Sequence, residues 1–384
     1  MADQTIKAGS LLEAVEQLRA ERDAGNIESE EFRELLMQLN QSWLTPDMTT
    51  SPPTSQPSDN NTSAQYEESH PGWSGQSQPK SDEESSNRSF VRNFDWQYQY
   101  HSESFELDVP KRLYRYYARR YRTRSFATYI ADPFDQGLIR DIIDRLKEFC
   151  TDYDIPEDQL HEVARSFVQH FEYASDKVTQ GELEYPKFPI ETLLHEGGDC
   201  EDSSIILGAI LRELGYNVAI LVLPRKQHMM LGVSFHANIG GACVEHEGEE
   251  YTLVETTSPG WDYGSIPPRY TNASVRAYPV NDQPVLVHKW SAEPTGDGDV
   301  VIDGHIANFG NAPANKVTAV FYFETERGRA ISREKICSID LLYNGQSHEF
   351  SQTVFEPNNE GDVRGRLKLS IDGSLHDVST SFTR

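Results

Sequence analysis

The chain is short of cysteine and of long apolar runs. Its 384 residues contain four cysteines, scattered without the regular spacing of a disulfide framework: Cys150, Cys200, Cys243 and Cys337. Such isolated thiols are typical of a reducing compartment. No apolar run approaches the ~20 residues that span a bilayer, and no basic segment followed by an apolar core opens the chain as a signal peptide would. We therefore expect a cytoplasmic protein without a membrane partner.

Basic residues are also scarce, because 35 Lys and Arg face 61 Asp and Glu, giving a formal net charge of -26. This excess of negative charge argues against general binding to nucleic acid. It is compatible with adaptation to high salt, and equally with an acidic protein of an ordinary cytosol. One basic and aromatic segment, KRLYRYYARRYRTRSF, could contact nucleic acid. Its tyrosines Tyr114, Tyr117 and Tyr121 recur at spacings of three and four, which better fits a buried helical face.

Motifs for metal binding are missing as well. The sequence has no CxxC or HExxH pattern, and its histidines do not show tight metal-ligand spacing. We expect no metal and no cofactor.

The most informative segment is GGDCEDSS at 197–204, followed by the apolar run IILGAILREL. Asp199 is a favourable N-cap, Asp202 completes a capping-box pattern, and Gly215 ends the predicted helix. Cys200 thus falls in the first turn, where free N–H groups and the helix dipole favour a thiolate. The acidic neighbours act in the opposite direction, so the sign of the pKa shift stays open. A small buried apolar cysteine is the alternative reading.

A histidine and a carboxylate follow this cysteine in order along the chain. His228 opens the strand-like run HMMLGV, and Glu255 closes the run YTLVETT. A thiol nucleophile needs an imidazole to accept its proton and a third group to orient that imidazole. His236 and His246 also lie between Cys200 and Glu255, and His236 is the second choice for the base.

These motifs resemble the transglutaminase-like superfamily of cysteine enzymes, in particular its archaeal and bacterial members. The resemblance covers roughly residues 95 to 270 and rests on GGDCEDSS, HMMLGV and YTLVETTSPGW. It implies Cys200 as nucleophile, His228 as general base and acid, and Glu255 as the orienting acid. The family usually has Asp at that third position. Its members include acyl-transfer enzymes, peptidases, amidases and chains that have lost activity.

Donors to an oxyanion are less determined by the sequence. The backbone N–H of Cys200 is one candidate, since it lies at a helix N-terminus. The second candidate is Gln169 or Tyr185. Gln169 could equally lie on a helix surface, and Tyr185 could line a wall of the site.

The composition divides the chain into four segments. We expect a helical hairpin over 1–45, a disordered linker over 46–90, a transglutaminase-like domain over 91–280 and an Ig-like β-sandwich over 281–384. The hairpin resembles a short C-terminal-type helical domain and predicts possible self-association. The sandwich shows seven strand-like segments separated by turn clusters and resembles adhesion-type modules. The predicted fold class is therefore multidomain: a central α+β transglutaminase/papain-like core, an N-terminal α-hairpin and a C-terminal all-β sandwich.

Two functional hypotheses follow from the sequence. The first is thiol-dependent acyl transfer or hydrolysis on peptide or glutamine-type amides through a Cys-His-Glu triad, with a peptide or protein substrate as partner. The second is a non-catalytic scaffold or peptide-binding protein that has kept the arrangement without the chemistry.

Overall fold

The computed structural model describes residues 89–173, 185–236, 239–295, 299–325, 329–355, 357 and 363–383. All of them belong to one compact unit, Asn87–Arg384. The predicted helical hairpin over 1–45 lies outside the described residues, as does the predicted linker over 46–90 except for its last two residues. Those two, Ser89 and Phe90, begin the first strand.

An antiparallel hairpin and six helices make up the first part of the described chain. Strand β1 (Ser89–Tyr98) pairs with β2 (His101–Pro110), and the alternating segment FDWQYQYHSESFELDVP spans the turn between them. The helices are α1 (Lys111–Ala118), α2 (Phe126–Ile130), α3 (Gln136–Asp152), α4 (Leu160–Gln169), α5 (Pro189–His195) and α6 (Cys200–Glu213). Apolar positions at helical spacing in α3 and α4 bury one face of each helix in a common core.

Two very short strands bring the end of α4 beside the start of α6. Strand β3 (Glu172–Tyr173) runs parallel to β4 (Gly197–Gly198). Gly197 approaches the partner backbone so closely that an added Cβ would lie 2.2 Å from the Glu172 carbonyl oxygen. The pairing therefore requires glycine at this position.

An antiparallel five-stranded sheet follows α6. Its strands are β5 (Asn217–Leu223), β6 (His228–Ser234), β7 (Cys243–His246), β8 (Glu249–Val254) and β9 (Arg276–Pro279). Their order across the sheet is β7-β8-β6-β5-β9. Helix α6 packs against β5 and β6, which are buried along nearly their whole length.

Two further antiparallel sheets lie in the C-terminal part and share one apolar core. The three-stranded sheet contains β10 (Leu286–Pro294), β11 (Asp299–Asn308) and β14 (Ser347–Phe355). The four-stranded sheet contains β12 (Ala314–Thr325), β13 (Ala330–Leu342), β15 (Val363–Ile371) and β16 (Ser374–Thr383). A strand lies in each of the seven segments that alternate in the sequence.

The predicted fold class, with its central α+β transglutaminase/papain-like core, is wrong. Of the residues that the structure describes, 45% lie in strands and 25% in helices, so sheets rather than a balanced α+β core dominate them. The physical reason is the recurrence of short, alternating, β-branched segments from Asn217 to the C-terminal strands, which favour antiparallel pairing over helices.

Candidate active site

The N-terminus of α6 presents Cys200 as the sequence predicts. Asp199 Oδ1 accepts hydrogen bonds from the backbone N–H groups of Glu201 at 2.9 Å and Asp202 at 3.5 Å. In return, Asp202 Oδ2 accepts the N–H of Asp199 at 3.3 Å. The capping box is therefore confirmed. It fixes the first turn of the helix and with it the backbone of Cys200.

The cysteine sulfur faces the beginning of strand β6. The backbone N–H groups of Met229 and of Cys200 itself both act to lower the pKa of the thiol. Met229 directly follows His228 in the chain. The thiol therefore lies against the strand end that carries the predicted base.

Electrostatics around Cys200 decide the sign that the sequence leaves open. Burial raises the pKa of the thiol to about 12, and the Asp199 and Glu201 carboxylates act in the same direction. The two backbone N–H groups lower the pKa but do not outweigh these effects. At neutral pH the resting group is accordingly a thiol, and a base must remove its proton during attack.

His228 and Glu255 form a direct, buried contact. His228 Nε2 lies 2.9 Å from Glu255 Oε2, with side chains 8% and 1% exposed. The other carboxylate oxygen, Oε1, accepts the Thr257 backbone N–H at 3.0 Å and its hydroxyl at 2.6 Å. Burial alone would raise the pKa of Glu255, but the bonds from His228 and Thr257 outweigh it and lower that pKa. Glu255 is thus an ionised, fixed acceptor for the imidazole.

An aromatic ring covers one face of His228. The ring of Tyr270 stacks on the imidazole with centroids 4.4 Å apart and an interplanar angle of 7°. Tyr270 ends a 3-10 turn, Pro268–Tyr270, and is 8% exposed. The sequence offers no local signal for this contact, since 42 positions separate the two residues and the turn has no regular period.

A buried ion pair supports the loop in front of Cys200. Lys187 Nζ lies 2.5 Å from Asp202 Oδ2, and neither side chain is exposed to solvent. The Lys187 backbone N–H also donates to Asp202 Oδ1 at 2.8 Å. Gly198 packs over this carboxylate, where an added Cβ would lie 2.2 Å from Oδ2. The pair therefore fixes the position of the loop that leads into helix α6.

Gln169 lies at the site, but its amide is engaged with the backbone. Gln169 Nε2 donates to the Glu255 carbonyl oxygen at 2.7 Å and to the Trp261 carbonyl oxygen at 2.9 Å. These contacts join the end of α4 to the segment that follows β8. In this structure the side chain holds the Glu255 backbone, which differs from the expected donation to an oxyanion.

Tyr185 belongs to a neighbouring charged group. Its hydroxyl accepts a hydrogen bond from Arg122 and donates to Glu191 Oε1 at 3.0 Å. Arg122 in turn forms an ion pair with Glu191 at 2.8 Å. These contacts thus place Tyr185 in the wall beside α5.

The second-choice base is far from the acid along the strand. His228 opens β6, whereas His236 lies two residues beyond its last residue, Ser234, and is exposed. At ~3.3 Å per residue, the first and last residues of β6 are roughly 20 Å apart. His246 closes β7 and pairs with Glu249 across that hairpin. Among the three histidines, His228 is the one hydrogen-bonded to Glu255.

Tyr173 is a site residue that the sequence does not single out. Its backbone pairs with Gly198, two positions before Cys200, and its side chain is 59% exposed. Burial raises the pKa of its phenol, and Cys200, Asp199, Tyr270 and Glu255 all contribute to that shift. The ring therefore lies near the candidate groups on the solvent side.

A polar groove of about 800 Å³ adjoins the supporting residues. Its lining includes Gln169 and Arg165, together with residues of the β1–β2 turn and of the loop after β8, but neither Cys200 nor His228. Arg165 donates to the Trp261 carbonyl and pairs with Asp262 at 3.0 Å. The groove thus borders the scaffold of the site rather than the thiol.

Comparisons with known proteins give little beyond local likeness. No family model matches the chain, and no curated protein matches it. The putative ApaA protein from Bordetella pertussis is 15% identical, with 27% of this chain and 94% of that chain covered and a TM-score of 0.20. A CARDB domain from Pyrococcus furiosus, solved in complex with di-metal ions, is 14% identical over 27% of this chain and 88% of that chain, with a TM-score of 0.20.

A DUF3823 family protein from Bacteroides ovatus is also similar in part. It is 13% identical, with 44% of this chain and 88% of that chain covered and a TM-score of 0.22. At such TM-scores the likeness carries no information on function.

The predicted membership of the transglutaminase-like superfamily is wrong. No family model supports that membership, and strands rather than a balanced α+β core dominate the described residues.

In the part of the chain that the structure describes, no group of three or more His, Cys, Asp or Glu side chains could hold a metal ion. Within the same residues, no helix has both the length and the apolar character needed to cross a membrane.

Proposed function

We propose that the protein carries out thiol-dependent acyl transfer or hydrolysis on peptide or glutamine-type amides. The observation that carries the proposal is the contact of His228 Nε2 with Glu255 Oε2 at 2.9 Å. His228 directly precedes Met229, whose backbone N–H acts to lower the pKa of the Cys200 thiol. A thiol, an imidazole and an ionised carboxylate in this order are the parts that nucleophilic catalysis requires.

The first step is attack of the Cys200 sulfur on the amide carbonyl carbon. Because Nε2 donates its proton to Glu255, the ring nitrogen Nδ1 carries the lone pair that accepts the thiol proton. The raised pKa of Cys200 makes this proton transfer necessary as the carbon–sulfur bond forms. The carboxylate of Glu255 then stabilises the imidazolium.

Collapse of the tetrahedral intermediate completes acylation. The carbon–nitrogen bond breaks, the leaving amine takes the proton from His228, and a thioester remains on Cys200. Water then gives a carboxylic acid and regenerates the thiol, whereas a primary amine gives a new amide. In both cases His228 removes a proton from the incoming nucleophile and returns it to the sulfur.

The developing oxyanion needs donors that are already oriented. The backbone N–H groups of Cys200 and Met229 both lower the pKa of the thiol, so both lie beside the sulfur. An oxyanion on the carbon attached to that sulfur would lie close to both groups. In this role the Met229 N–H replaces the Gln169 and Tyr185 side chains, whose polar atoms contact other groups.

The second candidate function is a scaffold that binds peptides without chemistry. The raised pKa of Cys200 favours it, because a buried, protonated thiol among carboxylates reacts slowly unless a base assists it. The two candidates differ in whether His228 accelerates the reaction of that thiol.

Cysteine reactivity and amide turnover test the proposal together. Iodoacetamide labelling of each cysteine from pH 5 to 9, followed by mass spectrometry, should show faster labelling of Cys200 in the wild type than in His228→Ala. His236→Ala is the matched control and should label as the wild type does. Cys200→Ser should abolish turnover of fluorescent casein, measured with and without methylamine.

Either of two results contradicts the enzymatic proposal. Undiminished casein turnover in Cys200→Ser would exclude the thiol as nucleophile. Equal labelling of Cys200 in the wild type and in His228→Ala would favour the scaffold.

The proposal also specifies partners and location. The substrate is a peptide or protein, the location is cytoplasmic, and nucleic acid and membranes are not partners. The four cysteines are free thiols, which supports a reducing compartment. Self-association through residues 1–45 belongs to the proposal as well, and light scattering of the full chain and of a form beginning at residue 46 tests it.

A further inference from the structure

The hydrogen bond to Glu255 does not by itself fix the orientation of the His228 ring plane. A single bond at Nε2 fixes the position of that nitrogen, but the imidazole plane can still rotate about the line that joins Nε2 to the carboxylate. Rotation would swing Nδ1 away from the start of α6. A second contact has to fix the plane.

Tyr270 supplies a contact of that kind. Its ring lies parallel to the imidazole, within 7°, at a centroid distance of 4.4 Å. Offset or parallel stacking restricts tilt because rotation of either ring would separate the faces. It also excludes water from one side of the His228–Glu255 bond, which strengthens that bond by lowering the local dielectric.

The tyrosine is itself firmly held. Its backbone N–H donates to the Pro267 carbonyl at 2.9 Å in the 3-10 turn. Its side chain belongs to an apolar cluster on the sheet, with buried neighbours Leu221, Leu223, Met230, Tyr251 and Leu253. The Arg269 guanidinium lies over the ring at 4.7 Å. The ring can therefore impose its plane on the imidazole rather than follow it.

We propose that Tyr270 is the positioning residue of His228, holding the imidazole so that Nε2 meets Glu255 while Nδ1 faces the Cys200 thiol. The inference rests on the proposed function for its catalytic meaning, whereas the effect on the ring itself does not. The contact is made by the ring face, so the phenol hydroxyl is dispensable.

Three variants of Tyr270 test this inference in the full chain. Tyr270→Phe keeps the ring, whereas Tyr270→Leu and Tyr270→Met remove it at similar apolar volume. Tyr278→Leu is the matched control, since Tyr278 is an aromatic residue of the same sheet whose ring contacts Phe126 instead. Urea unfolding of each variant shows whether the fold is intact.

Two readouts distinguish positioning from mere packing. Tyr270→Leu and Tyr270→Met should lower kcat on fluorescent casein about tenfold and leave KM within about twofold of the wild type. A tenfold loss is part of the rate gain expected from general base catalysis. The ¹⁵N signals of the His228 ring should show a protonated Nε2 in the wild type and in Tyr270→Phe. They should show mixed tautomers in the two variants that lack the ring.

The outcomes are separable. Unchanged kcat and unchanged ring signals in Tyr270→Leu or Tyr270→Met would overturn the positioning role. A fall in kcat together with mixed tautomers in Tyr270→Phe would overturn it as well. If the wild type fails to turn over casein, the proposed function fails, and the nitrogen signals still decide whether Tyr270 fixes the ring.

Discussion

Arg120 and Asp377, 257 positions apart in the sequence, form an ion pair at 3.1 Å with side chains only 6% and 7% exposed. Arg120 also pairs with Asp132, which accepts the hydroxyl of Tyr117. One guanidinium thus joins the segment after helix α1 to strand β16. Because both carboxylates are buried, neither can be hydrated if the cation is removed.

The first prediction concerns that cation. Arg120→Met should lower the free energy of unfolding by about 3–5 kcal/mol, because two buried carboxylates lose their counter-charge. Arg145→Met is the control, since Arg145 and Glu148 form an exposed pair and a surface change is worth within about 0.5 kcal/mol. Urea denaturation at pH 7 measures both, and an equal loss in the two variants would contradict the prediction.

The second prediction is a loss of stability on acidification that depends on His376. Burial lowers the pKa of His376 from 6.5 to about 4, with Arg120 acting in the same direction and Asp377 against it. Burial also lowers the pKa of the neighbouring His288, whose Nδ1 lies 3.5 Å from Asp377 Oδ2. Between these values the unfolded chain binds the proton that the folded chain excludes, so stability falls as pH drops from 6.5 towards 4.

The comparison that isolates His376 uses His376→Asn. Only an amide as long as that of glutamine places an oxygen where His376 Nε2 accepts the Leu286 N–H at 3.1 Å, so His376→Gln is the second non-titrating variant and should match His376→Asn in its pH dependence. From pH 7 to pH 5 the wild type should lose about 2 kcal/mol more than either variant in urea unfolding. Parallel pH curves for the wild type and the variants would show that His376 does not contribute.

The third prediction concerns the glycine that covers the buried Asp202. Gly198→Ala places a Cβ 2.2 Å from Asp202 Oδ2, so the loop must shift away from the ion pair with Lys187. We expect loss of casein turnover and a lower unfolding midpoint. Gly137→Ala is the control, because nothing lies within 4 Å of its added Cβ. Alanine in place of this helical glycine should raise the free energy of unfolding by about 0.5–1 kcal/mol. Wild-type turnover in Gly198→Ala would argue against a fixed loop.

The fourth prediction concerns the residue that fixes Glu255. Thr257→Val removes the 2.6 Å hydroxyl bond to Oε1 while keeping the shape of the side chain. The pKa of Glu255 should rise and kcat on casein should fall about tenfold, as the imidazole loses part of its orienting acid. Thr257→Ser retains the hydroxyl and should behave as the wild type. Equal rates for Val and Ser would show that the hydroxyl is unimportant.

Local patterns predicted the elements around Cys200 well. Asp199 and Asp202 are three positions apart, and the capping box depends only on that spacing and on the N–H groups of one helical turn. Strand β6 and the end of β8 are likewise readable from alternation and from β-branched residues. Antiparallel pairing of β6 with β8 then brings His228 and Glu255 to the same end of the sheet.

The contacts that complete the site were not readable in this way. Gln169 bonds to the Glu255 carbonyl 86 positions away, and Tyr270 stacks on His228 from an irregular turn. Such contacts depend on how separate elements pack, and no period in the sequence reports it. The fold class was wrong for a related reason: motifs of a few residues around Cys200 and His228 do not report the strand content of the described residues, which decides the class.

The raised pKa of Cys200 has a consequence for survival under oxidation. Peroxide reacts with thiolates, so a cysteine kept protonated by burial and by Asp199 escapes much of the damage that exposed, acidic thiols suffer. Dimedone trapping of sulfenic acid after peroxide should label Cys200 more slowly in the wild type than in Asp199→Asn. Under the proposed function, the same protonated thiol would react with a bound amide, where His228 acts on it, and resist small oxidants in the absence of substrate.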